Sequence, residues 1–119
     1  MKKIIHQKVK LLIFVFSFLI PLLFISSTFA VNTDSLELIV EDLSGEQKIK
    51  VLSDLCYYLS YSEVEKSEKY GLQCLDLAQK QGDSVLIANA YNDLSILYTL
   101  KSDYKKGLEY NFKAYEIRK

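Results

Sequence analysis

The chain has 119 residues, half of them hydrophobic and a quarter charged, with 15 basic side chains balanced by 15 acidic ones. That length holds one domain at most. A neutral chain with one histidine and two cysteines excludes a large basic nucleic-acid surface and a four-ligand zinc site built from Cys and His.

The first 30 residues differ from the rest. Lys2, Lys3, Lys8 and Lys10 form a basic start, and Leu11 to Ile25 is apolar apart from Ser17 and Pro21. Ser26-Ser27-Thr28-Phe29-Ala30 places small residues at the last and third-last positions. This three-part layout predicts a secretory signal peptide over 1–30, cleaved after Ala30. The apolar run is 15 residues, short of the ~20 that a membrane span needs; an uncleaved N-terminal anchor is the alternative. Removing this segment leaves 11 basic against 15 acidic residues, a net of −4. A mildly acidic chain with no basic block points away from nucleic acid and from anionic membrane surfaces, leaving membrane contact to the signal, an anchor or a downstream span. The expected location is outside the inner membrane, periplasmic or secreted.

Residues 31–45 read as a lead segment with one short helix. Asp34 is its expected cap with Glu37 as box partner, and Leu36, Ile39, Val40 and Leu43 form its apolar face. Ser44, with Gln47 three residues on, is expected to cap a helix over 46–60, in which Ile49, Leu52, Leu55, Cys56 and Leu59 make an i, i+3, i+4 stripe. Ser62 and Glu65 form another box that opens a helix running to Gln81, and Gly82 stops it. Asp83 or Ser84 starts a third long helix to Leu100. Asp103 caps a last one that reaches the chain end. No strand-like alternation appears, so the expected fold class is all-α.

The stretch from Ala90 to Ile117 carries a periodic signature: Tyr91, Leu94, Ser95 and Tyr98, then Tyr104, Gly107, Leu108, Tyr110, Ala114 and Tyr115. It resembles one whole tetratricopeptide repeat. A weaker copy lies upstream, with Leu55 matching Leu94 at an offset of 39 and Cys74 matching Ala114 at 40. The resemblance implies antiparallel helix-turn-helix repeats over about 46–82 and 83–119, stacked as a short α-solenoid. Small residues mark close approach: Cys56 with Ser67, and Ser95 with Gly107, are the expected crossings inside each hairpin. Cys74 and Ala114 stand where the next repeat packs. Both cysteines therefore read as small packing residues, with a disulfide open as an alternative after export. The last helix is apolar over more than one stripe, through Leu108, Tyr110, Phe112, Tyr115 and Ile117. That implies a covering partner, or further repeats in a longer native protein.

The only histidine, His6, lies in the signal, and no Gly-rich phosphate loop is present. Carboxylates sit beside lysines, as in Glu65/Lys69, where helix support is the expected role. No enzyme activity and no cofactor are expected of this segment. In the family the first helix of each pair lines a concave groove. Carried over position by position, this nominates Lys50, Ser53, Asp54, Tyr57 and Ser60 in the first copy, and Asn89, Asn92, Asp93, Ile96 and Thr99 in the second. The implied ligand is a protein or peptide, with self-association as a further option. Most of the nine tyrosines are expected to pack between helices, hydroxyl outward. A signal, a lead helix and long-form repeats look like the sensor region of bacterial membrane signalling proteins, upstream of a histidine kinase or a DNA-binding regulator. A standalone exported adaptor is the alternative.

Overall fold

The structure, a computed structural model, describes residues 1–25 and 31–119, with side chains in the first helix only as far as Phe14. The described residues contain helices and turns and no strand. The expected cleavage point after Ala30, and most of the apolar run before it, lie outside the described side chains. Contacts divide the chain into two units, Met1–Val31 and Asn32–Lys119.

Among its described residues the first unit has one helix, α1 (Lys2–Ile25). Among the described residues no helix is long and apolar enough to cross a membrane.

The second unit has five helices: α2 (Thr33–Val40), α3 (Gly45–Leu59), α4 (Val64–Gln81), α5 (Ser84–Leu100) and α6 (Tyr104–Arg118). Their limits follow local chemistry. Gly82 closes α4 with φ +75, the left-handed conformation glycine enters without steric cost, and its N–H returns to Ala78 O and Gln79 O. Asp83 then caps α5, its carboxylate accepting from the N–H groups of Val85 and Leu86. Asp103 caps α6 through Lys106 N.

Three expected caps are corrected. Asn32, not Asp34, caps α2, accepting from Ser35 N at 3.2 Å. Ser44 sits at the N-cap of α3 in an extended conformation but makes no side-chain cap bond. The Ser62 box does not form, because the backbone N–H groups of Ser62 and Glu63 both turn back to Leu59 O, and Glu63 becomes the N-cap of α4. That turn satisfies carbonyl groups at the end of α3 before the next helix can begin.

Neighbouring helices run antiparallel, as contact partners descend in number along each pair. On α3 and α4, Ser67 bonds to Cys56 while Cys74, a turn or two later, reaches Ile49. On α4 and α5, Glu68 meets Tyr98 and Gln79 meets Tyr91. On α5 and α6, Gly107 lies on Ser95 and Thr99 while Arg118 reaches Asn89. Two reversals leave α3 and α5 parallel and side by side, and they touch directly.

The two hairpins cross at positions that correspond in the two sequence copies. In the first, the Ser67 hydroxyl donates to Cys56 O in a fully buried site. In the second, a Cβ on Gly107 would stand 2.7 Å from Thr99 Oγ1 and 3.2 Å from Ser95 O. A third close approach joins the hairpins: a Cβ on Gly71 would meet Cys56 Sγ at 2.7 Å and a Leu94 methyl at 2.8 Å.

Two apolar clusters form the core. Val40, Ile49, Leu52, Leu55, Leu59, Cys74, Ala78 and Ala90 make the larger; Leu94, Leu97 and Tyr98 make the smaller, and Leu75 packs on both. The tyrosine expectation is corrected: Tyr57, Tyr58, Tyr61, Tyr104 and Tyr115 are exposed, and of the nine only Tyr98 is buried. A ring with a hydroxyl tolerates water at its edge, so helical periodicity alone does not bury it. Lys69 does not pair with Glu65 among the described residues; its ammonium lies 5.7 Å from the centre of the Tyr70 ring. On α6 only Gly107 and Ala114 are buried, and Leu108 is 72% exposed.

Candidate binding face

The parallel pair α3 and α5 presents one shared face. Residues 50, 53, 54 and 57 follow i, i+3, i+4 steps on α3, and 89, 93 and 96 do so on α5, so each set lies on one side of its helix. Between them is a cleft of about 240 Å³ lined by Ile49, Lys50, Ser53, Asp54, Cys74, Leu86, Asn89 and Ala90. Its floor is aliphatic and its rim polar.

Lys50 Nζ is held by Glu46 Oε1 at 2.7 Å, one helical turn back. The Ser53 hydroxyl donates to Asp93 Oδ2, tying the two helices together across 40 residues of sequence. Burial pushes the Asp93 carboxyl above its ordinary value; the Ser53 bond opposes this and the Asp54 charge adds to it. Burial also raises Asp54. Asn89 Oδ1 accepts from Arg118 Nη2 at 2.9 Å, which brings a guanidinium from α6 to the rim.

The other nominated residues divide. Tyr57 is exposed on the same side of α3 and meets Tyr58 and Tyr61 edge-on, with ring centres 5.4 and 6.0 Å away. Asn92 and Ile96 are half-buried on α5. Ser60 is corrected: it is only 3% exposed, and its hydroxyl donates to Tyr57 O at 2.6 Å, so it has nothing to offer a ligand. A serine at a helix end finds the carbonyl three residues back more readily than an outside partner. Thr99 donates to Ser95 O at 2.8 Å and packs on Gly107, in a separate shallow depression with Tyr104, Leu108 and Asn111. It serves the α5–α6 crossing and does not line the cleft.

Sequence reasoning missed the walls and Arg118. Ile49, Leu86 and Ala90 carry a usable signal, being the apolar neighbours one turn from the polar stripe. Arg118 carries none, because its partner Asn89 is 29 residues away.

Cys56 and Cys74 are free and buried. Burial pushes their thiols up to about 11 and about 12, so neither supplies a thiolate near neutral pH. Among the described residues no group of three His, Cys, Asp or Glu side chains is placed to hold a metal ion.

No family model, curated protein or solved structure matches the chain. Geometry alone therefore defines its class: an all-α arrangement of helical hairpins with a polar-rimmed cleft between parallel helices.

Proposed function

We propose that the chain is a protein-interaction module built from two tetratricopeptide-like repeats, carried on an exported protein, with the α3–α5 face as its binding surface. The observation that carries this reading is the agreement between the sequence copies and the two crossings. Cys56–Ser67 and Ser95–Gly107 sit at matching positions in both copies, and each is a point of close approach. Repeats related in this way place the first helix of each pair side by side, which leaves one continuous face for a ligand. Its residues are hydrogen-bonding and aromatic groups on rigid helices, suited to holding a peptide. The resemblance extends the proposal to the sensory end of a bacterial signalling protein, whose output domain would respond to the bound partner.

The test is photocrosslinking in cells with the full-length chain, the reactive group replacing Tyr57 or Asn89, and Lys69 on α4 as the control. The partner captured is then identified and its affinity for the purified chain measured. Crosslinks from Tyr57 and Asn89 alone, with affinity falling roughly tenfold in Tyr57→Ala, support the reading. A partner captured equally well from Lys69, or indifferent to Tyr57→Ala, overturns it.

A further inference from the structure

We propose that the α3–α5 cleft receives a lysine or arginine side chain, carried by an extended segment of the protein partner. This rests on the reading of the face as a protein-binding surface and adds the chemistry of the ligand. Two carboxylates alone would be a solvated pair. What points to a cation is the site around them.

The cleft is lined by Ile49, Leu86 and Ala90 together with Asp54 and Ser53, and the Ser53 hydroxyl donates to Asp93 next to it. An aliphatic pit with the Asp54 carboxylate at its edge fits a side chain with a methylene stem and a cationic head. Its volume of about 240 Å³ admits one long side chain and little else. The Cys74 thiol in the wall is spent on Ile49 O. The protein's own cations compensate this charge only in part: Lys50, also in the lining, is paired with Glu46, and the Arg118 charge acts on Asp93 more weakly than burial, the Ser53 bond or the Asp54 charge. Arg118 is also the more direct indication. Its guanidinium is already hydrogen-bonded to Asn89, a residue of the cleft lining, so the rim accepts this chemical group in the geometry it presents. Both carboxyls are raised by burial, a penalty on their ionised forms that a bound cation would relieve. Beyond the cleft, Tyr57 near the end of α3 and Tyr61 in the turn after it are exposed and can receive the segment that carries the cation.

The probes are blocked alanine pentapeptides with Arg, Lys, Leu or Glu at the centre, titrated into the isotope-labelled full-length chain in neutral detergent micelles and followed by amide NMR. The Arg and Lys peptides are expected to shift the Asn89 side-chain amide and the backbone amides of Ser53, Asp54 and Asp93, saturably and less at high salt; the Leu and Glu peptides are not. Asp54→Asn and Asp93→Asn are each expected to weaken the response about three- to fivefold, the range of a partly exposed ion pair. Asp54 lies at the mouth of the cleft, so its variant remains informative if Asp93→Asn disturbs packing. Equal shifts from the Leu and Arg peptides, shifts elsewhere on the chain, or an unchanged response in Asp54→Asn overturn the proposal. If crosslinks from Tyr57 persist without cation preference, only the ligand chemistry fails; if they are absent, the binding face itself fails.

Discussion

At the scale of single residues, the fold depends on side chains that are missing or small. Gly107 permits α6 to lie on the backbone of α5 at Ser95, and Ser67 fills the matching place on α4 with a hydroxyl that finds Cys56 O. The two solutions differ in chemistry but meet the same steric demand. Gly71 has the tighter surroundings, because sulfur and a methyl group close on it from two different helices. Thr99 could rotate away from an added methyl at Gly107, whereas the Ser95 carbonyl could not. Gly107→Leu is therefore expected to cost about 3 kcal/mol, the upper end of the usual range for overpacking, and to push α5 and α6 apart. Thermal melting followed by far-UV circular dichroism checks this; an unchanged midpoint would remove Gly107 from the crossing.

Elements are bounded mainly by their own ends. Gly82 and Asp83 stop one helix and start the next within two residues, each by a mechanism visible in its side chain. The turn after α5 is less well served. Ser102 holds φ +62, a conformation that costs a residue with a Cβ, while the backbone N–H of Asp103 returns to Tyr98 O at 2.9 Å. Glycine at this place would remove the cost without disturbing the cap at Asp103. Ser102→Gly is expected to stabilise the chain by about 0.5–1 kcal/mol, read from chemical denaturation with an unchanged slope. A loss of stability would mean that the hydroxyl contributes more than the backbone strain removes.

Across the whole molecule, three helices are joined by one polar staple. Glu68 on α4 accepts from the Tyr98 hydroxyl and pairs with Lys101, while Lys106 on α6 donates to the same hydroxyl at 2.9 Å. Its ring stacks on Tyr110 with centres 5.4 Å apart. Lys101 first, and then Tyr98, hold the Glu68 carboxyl below its ordinary value. A carboxyl lowered by folding stabilises the folded state above its unfolded pKa, and that contribution fades as pH falls through the lowered value. Glu68→Gln is therefore expected to cost about 1–2 kcal/mol at pH 7, a gap that begins to narrow as pH falls toward the ordinary glutamate value of about 4.3 and closes only below the lowered folded value. Comparing the two proteins cancels the opposite trend from Asp93, whose raised carboxyl favours the fold as pH falls. A gap that stays constant from pH 7 to pH 3 would show that Glu68 acts by packing and not by charge.

The helices and most of their limits are set by signals within a few residues: the stripe from Ile49 to Leu59, glycine at 82, aspartates at 83 and 103. The crossings were legible too, since small residues recurring at offsets of 39 and 40 can serve close approach in both copies. Other features depended on how each helix rotates about its axis once packed. That rotation put Ser53 on Asp93, Arg118 on Asn89 and Gly71 between Cys56 and Leu94, and it turned Ser60 inward. These contacts join residues far apart in the chain or choose between two sides of one helix. Local propensity carries no information about either, so only the tertiary structure could decide them.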